Sequence, residues 1–377
     1  MHAVTLLAVL FLWTLVHSAL CTNDPKARSA AEYNLHHYTT SWESIVNGHD
    51  KPETDTNKNF KGTTLAYVTP WNSKGYHVAS QFCCKFDILA PTWYNFGRDK
   101  TGPFVRGREN ARPAWIRKIL SSAHQQCKSR GRPKITPRFL LEGGWDHTIL
   151  AKTFDSRRTS QKLVELMMAE VKHFNFSGIV IDASHFDAKS TAKPPFLDFL
   201  NSLANQLKKS NGQLILAIAN DQRLFDHEDL VEFEPFVDYF SLMTYDYSSP
   251  RKPGPSSPHE WALSIVKRLQ GKDKTHSKKI LMGVNLYGYD FIAALHQGQP
   301  ILADKVVELL REKEPIVKWH PTYREHYFNY ERTQLIHTVW FPTPQYLKNK
   351  VQLAEELDCG LSLWEIGQSM NSLYSVL

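Results

Sequence analysis

Eight short runs rich in apolar and β-branched residues recur along this chain, and segments of helical periodicity separate them; this alternation limits the fold more than any other feature. The runs are Thr63–Val68, Phe86–Trp93, Arg138–Glu142, Gly178–Ser184, Gln213–Ala219, Tyr239–Tyr245, Lys279–Leu286 and Gly360–Trp364. Between them, apolar residues at three- and four-residue spacing predict helices over Ala114–Arg130, Thr159–His173, Pro195–Ser210, Pro258–Gln270 and Tyr346–Leu357. Strand and helix in alternation build a parallel sheet with crossover helices. Eight such units close most simply into a barrel, which leaves no exposed sheet edge. The expected fold class is therefore α/β, an eight-stranded (β/α) barrel over residues 61–377. The connection between strands seven and eight, about 287–342, is too long for one helix. It holds a helix, Ala303–Glu312, and β-like runs at Ile316–His320, His326–Tyr330 and Leu335–Phe341. It reads as a small α+β insertion that walls one side of the face at the strands' C-terminal ends.

Residues 1–21 carry the apolar stretch Ala3–Val16 followed by small residues, the pattern of a signal peptide cut between about Ala19 and Asn23. The run is shorter than the ~20 residues that span a bilayer, so the expectation is a secreted chain with no transmembrane span. Residues 22–60 read as a polar N-terminal extension with one short helix. Of five cysteines, Cys21 leaves with the signal or stands at the new terminus. Cys83, Cys84, Cys127 and Cys359 then allow three pairings, and one disulfide plus buried thiols fits as well as two bridges. Asn175-Phe176-Ser177 is a glycosylation sequon, which places Asn175 on a surface turn. The formal charge of +7 is dispersed and accompanied by no recognition motif, which argues against nucleic acid and suits acidic glycans or anionic lipids. The spacings contain neither a metal-ligand pattern nor a cofactor motif.

In such barrels the site lies at the C-terminal ends of the strands. The third strand ends Leu140-Leu141-Glu142-Gly143-Gly144-Trp145, the sixth runs into Met243-Thr244-Tyr245-Asp246-Tyr247-Ser248, and the eighth ends Leu363-Trp364-Glu365-Ile366-Gly367-Gln368. With Tyr67-Val68-Thr69-Pro70-Trp71-Asn72 on the first strand, these motifs resemble glycoside hydrolase family 18 from roughly Gly62 to the end, and within it the chitinase-like branch that partners scavenger receptors. The family's fourth strand carries Asp-Gly-x-Asp-x-Asp-x-Glu. Here the segment is Ser177-Gly178-Ile179-Val180-Ile181-Asp182-Ala183-Ser184, so Ser184 stands at the position of the catalytic acid and Val180 replaces another carboxylate. In active relatives that acid protonates the glycosidic oxygen while the substrate's own N-acetyl carbonyl attacks the anomeric carbon. A serine hydroxyl is far too weak an acid for this step. Asp182 alone remains, available to accept a hydrogen bond from an acetamide N–H. A displaced acid would have to be Glu142, Asp187 or Glu365; their structural readings are strand-end hydrogen bonding for the two glutamates and a solvated turn for Asp187.

Sugar recognition needs flat apolar faces and a few convergent polar groups. The resemblance makes Trp364 the floor of the central sugar site and sets Tyr245, Asp246 and Asp182 around the acetamide. It leaves Trp71, Trp93, Trp145 and Tyr247 to extend the platform, with Glu142 marking a modified cleft. Trp71 and Trp93 read equally well as core. The function implied is a non-catalytic, chitinase-like protein that binds chitooligosaccharides or related glycans without a cofactor. The resemblance also implies a scavenger receptor of the stabilin type as partner, and passage to the lysosomal lumen or outside the cell. Two alternatives stand: a weak glycoside hydrolase using a displaced carboxylate, and a receptor-binding protein whose cleft is vestigial.

Overall fold

The computed structural model describes residues 40–51, 57–127, 131–141, 153–154 and 156–377; Trp42–Leu377 form one compact unit. Its principal sheet contains β1 (Thr64–Val68), β2 (Ile88–Pro91), β3 (Tyr94–Asp99), β4 (Gly102–Arg106), β5 (Lys134–Ile135), β6 (Arg138–Leu141), β7 (Gly178–Ala183), β8 (Gln213–Ile218), β9 (Tyr239–Leu242), β10 (Ile280–Asn285) and, last in the chain, Gly360–Trp364. That closing strand lies between β10 and β1, and parallel pairing continues from β6 through β7, β8 and β9 to β10. Strands two and three of the barrel are each broken in the middle. β2 pairs with β5 before the break and β3 with β6 after it, so the ring closes through both halves. The break in strand three falls at Pro137, which has no N–H for the ladder; Pro137 O still accepts from Val180 N at 2.9 Å.

Alternation along each strand sends Leu65, Tyr67, Ile88, Ala90, Val180, Ile215, Ala217 and Leu281 into the barrel. The opposite faces, Ala66, Val68, Ile179, Ile181, Leu214, Leu216, Met282 and Val284 among them, join the core shared with the surrounding helices. Strands buried on both faces read as continuous apolar runs, which is why all eight were recognisable. Gly178 opens β7 at φ +154°, and a Cβ there would lie 2.2 Å from Gln213 O; only glycine allows this approach.

The five predicted helices appear, as Pro113–Gln126, Arg157–Phe174, Lys193–Lys208, His259–Gln270 and Pro344–Glu356. The short helix expected in the extension is Trp42–Gly48. Elements not foreseen are the helices Ser73–Gln81 and His227–Phe233 and the antiparallel β3–β4 hairpin. The sixth strand is shorter than expected, ending at Leu242, because Thr244 leaves the ladder and its hydroxyl donates to Gly283 O at 2.8 Å.

The insertion is a five-stranded antiparallel sheet of β11 (Gly288–Ile292), β12 (Gln297–Ile301), β13 (Lys318–His320), β14 (Glu325–Arg332) and β15 (Leu335–Phe341), in the order β12-β11-β15-β14-β13. Counting the barrel's closing strand as β16, the insertion separates β10 from β16. Its helix spans Ala303–Lys313, as periodicity indicates; the β11–β12 hairpin was not foreseen. A disulfide joins Cys84 to Cys127, while Cys83 and Cys359 are buried outside it, one of the arrangements left open above. Among the described residues no helix is long and apolar enough to cross a membrane. Residues 1–21, including Cys21, lie outside the described residues.

Candidate functional site

At the C-terminal end of β7 the inward positions are Val180, Asp182 and Ser184. Asp182 is completely buried. Its Oδ1 accepts from Ser184 N at 3.0 Å and from the Ser184 hydroxyl at 2.7 Å. Its Oδ2 accepts from Arg138 Nε at 2.6 Å and is also paired with Arg138 Nη2. A carboxylate offers about four lone-pair positions, and here four donors fill them. The acetamide N–H that the resemblance assigned to Asp182 would have to share a carboxylate already contacted by Ser184 and Arg138. Ser184, just past the end of β7, gives its hydroxyl as a donor to the neighbouring carboxylate.

Arg138 comes from the start of β6, where it pairs with Val180 across the ladder. With Val180 apolar, the guanidinium extends towards the next layer and meets Asp182. Its carbon lies 5.5 Å from the centre of the Trp364 ring, within cation–π range. Tyr67 supports the same ring from 5.2 Å at 54°. The Tyr67 hydroxyl is hydrogen-bonded to Ser241 Oγ at 2.8 Å, and Ser241 to Ser362 Oγ at 2.9 Å. Burial pushes the Tyr67 phenol well above its usual range, so this polar relay across the barrel is neutral. Trp364 is half-buried, braced from within the barrel by Tyr67 and Arg138.

Tyr245 is buried and carries a phenol pushed up chiefly by that burial. Asp246 adopts a left-handed backbone at φ +62°. The residue as a whole is exposed, but its carboxyl end turns inward and accepts from the Tyr287 hydroxyl. Desolvation raises its pKa, and the Tyr287 hydrogen bond opposes that rise. The loop beyond Asp246 is tied to the insertion: Glu325 on β14 accepts from Ser256 N at 3.0 Å and Ser257 N at 2.7 Å, and Lys350 donates to Ser257 O at 2.6 Å. Asp246 N and Tyr247 N in turn donate to Ser256. The insertion therefore positions the acidic end of strand six, as its expected place beside the C-terminal face requires.

The remaining predicted residues divide. Trp71 is 72% exposed, and Tyr247 is exposed with its ring against Trp261 at 5.2 Å. Trp93 is core: it is 2% exposed, donates to the Tyr76 hydroxyl at 2.7 Å and packs edge-on against Trp115. It is removed from the sugar platform, because its position has the outward parity of β2. Glu365 is buried in a left-handed turn, accepting from Asn72 Nδ2 at 2.6 Å and Gly367 N at 2.9 Å. Burial raises its pKa and these donors oppose the rise, so it serves the strand-end role. Asp187 accepts from Lys189 N at 2.8 Å in a partly exposed turn. Asn175 is exposed, capping its helix at φ +54°. Glu142 and Trp145 lie outside the described residues.

Sequence reasoning missed Arg138, Tyr67, Ser241, Ser362, Tyr287 and Asn72. Strand parity left a signal for some of them: Arg138 in the run Arg-Phe-Leu-Leu shares the parity of Leu140, and Tyr67 that of Leu65, so both point into the barrel.

Comparison with known proteins agrees with this architecture. The profile of the family described as Glycosyl hydrolases family 18 matches residues 109–369. The Cortical fragment-lytic enzyme of Bacillus anthracis is 27% identical over 201 residues, covering 48% of this chain and 46% of that enzyme. The enzyme of the same name from Bacillus subtilis (strain 168) is 21% identical over 222 residues, covering 55% of this chain and 51% of its own length. The chain thus spans about half the length of these relatives. Among solved structures, a chitinase from Chromobacterium violaceum superposes with a TM-score of 0.68 at 20% identity, covering 84% of this chain and 97% of that one. YKL-39, crystallised in the presence of chitooligosaccharides, superposes with a TM-score of 0.63 at 15% identity, covering 83% of this chain and 98% of its own.

Proposed function

Because the chain belongs to glycosyl hydrolases family 18, we propose that it uses the family's barrel to bind oligosaccharides, chitooligosaccharides or related glycans, without hydrolysing them. The observation that carries this reading is the Ser184–Asp182–Arg138 cluster. Where the family motif ends in an acid, the chain has a serine whose hydroxyl is already given to Asp182. General acid catalysis contributes about 10² to 10⁴ in rate, and Glu365, the described carboxyl closest in sequence to Trp364, is held by Asn72 and Gly367. Binding is supported by the half-buried ring of Trp364, braced by Tyr67 and Arg138, and by the solved structure of YKL-39 in the presence of chitooligosaccharides.

The deciding experiment titrates purified protein with a chitooligosaccharide series while the same samples are assayed for shortened products. Saturable binding without products is expected. Trp364→Ala should weaken that binding by about 1 to 3 kcal/mol, the range of a buried aromatic anchor. Steady product formation would restore the hydrolase reading, and unchanged affinity in the variant would place the sugar elsewhere. The finer resemblance extends the proposal to a secreted or lysosomal protein carried by a stabilin-type receptor. Export is supported by the apolar run Ala3–Val16 and the receptor by the resemblance alone; N-terminal analysis of exported protein should find a start between about Ala19 and Asn23.

A further inference from the structure

We infer that the central sugar position does not select for N-acetyl groups, so that the cleft takes plain glucose oligomers about as well as N-acetylated ones. The inference rests on the oligosaccharide-binding reading above and adds the class of sugar. A glucose ring and its N-acetylated counterpart differ at one carbon, where a hydroxyl is replaced by an acetamide. Selecting the acetamide through its N–H requires an acceptor aimed at that group, with the penalty of an unpaired buried group falling on the ligand that fails to match.

In this barrel the inward groups of β7 provide no such acceptor. Val180 is apolar, and both oxygens of Asp182 are occupied, Oδ1 by the backbone N–H and hydroxyl of Ser184 and Oδ2 by Arg138. Serving a ligand here would exchange one of these contacts for the ligand's own, with no net gain of a hydrogen bond and a protein donor left without its partner. Among the described residues, the other groups assigned to the site suit either sugar: the indole face of Trp364, which reads only the ring's apolar side, the phenol of Tyr245, and the carboxyl of Asp246, one of whose oxygens accepts from Tyr287. These groups accept from or donate to a hydroxyl as readily as to an acetamide.

Isothermal titration of the wild-type chain with N-acetylglucosamine tetramer and with cellotetraose tests this directly. Affinities within about fivefold, or a preference for cellotetraose, are expected. A preference for the N-acetylated tetramer above about tenfold, equivalent to about 1.4 kcal/mol, would overturn the inference while leaving the binding function intact, and absence of binding by either tetramer would overturn both. Ser184→Ala then tests the cause. Removing the hydroxyl opens one acceptor position on Asp182 Oδ1, so the affinity ratio should move towards the N-acetylated tetramer. A ratio unchanged from wild type would show that filling of the carboxylate is not what sets the selectivity.

Discussion

Replacing Arg138 by methionine removes a guanidinium from inside the barrel and leaves Asp182 fully buried with no counter-ion. The pair is well shielded, with 14% of the Arg138 side chain and none of the Asp182 side chain exposed, so solvent screening relieves little of the loss. Hydrogen bonds to charged groups contribute about 1.5 to 3 kcal/mol each, and Arg138 makes two contacts with Oδ2. Breaking a buried pair from one side typically costs about 3 to 5 kcal/mol, and Arg138→Met should fall in that range. The double variant Arg138→Met/Asp182→Leu should recover most of it, because replacing both partners by apolar groups also removes the cost of burying the charges. Urea unfolding followed by tryptophan fluorescence reads both, provided the dependence on denaturant is the same for all variants. A coupling of at least about 2 kcal/mol is expected across the cycle of wild type, two single variants and the double. A loss below about 1 kcal/mol in Arg138→Met, or a double variant as unstable as the sum of the singles, would refute it.

Three further outcomes follow from the same contacts. Ser184→Glu should yield no hydrolysis above an uncut control in a reducing-sugar assay, because the new acid would face an Asp182 already paired with Arg138 and a valine in place of its other neighbour; measurable turnover would show that the cleft remained organised for catalysis. Burial holds His326 down to about 4, whereas an unfolded histidine titrates near ~6.5, so on acidification the unfolded chain takes up the proton first and stability is lost as pH falls from about 6.5 towards 4. His326→Gln should flatten the wild-type curve of unfolding free energy against pH by up to about 3 kcal/mol over that window, and parallel curves would contradict the assignment. Cys84→Ser opens a loop with a sequence separation of 43, whose closure is worth about 4 kcal/mol by chain entropy; an unfolding midpoint equal to wild type would mean that another sulfur replaces the bridge.

Much of the site follows from a two-residue period. The alternation that sends Leu65 and Tyr67 into the barrel also sets Val180, Asp182 and Ser184 on its inner face, so the inward serine at the end of this strand was legible before any coordinates. Applied to the second strand, the same alternation puts Ile88 and Ala90 inside and Trp93 outside, where it packs against Trp115. Parity could have separated Trp93 from Trp364, which shares the inward parity of Ser362. The broken strands, the β3–β4 hairpin and the β11–β12 hairpin left weaker traces, since each depends on where a loop turns and not on a periodic apolar face.

Residue type and spacing by themselves determined the order of eight strands, the barrel class, the insertion before the last strand and the inward place of Ser184, because each is a local pattern repeated along one element. Which donor satisfies Asp182, which ring braces Trp364, and which sulfur meets Cys127 were decided only by the tertiary structure. These contacts join residues 44, 297 and 43 positions apart, and a buried polar group is constrained to find a partner but not to name it. Pairing of β6 with β7 brings Arg138 against Asp182, and so gives the carboxylate contacts that the sequence does not name.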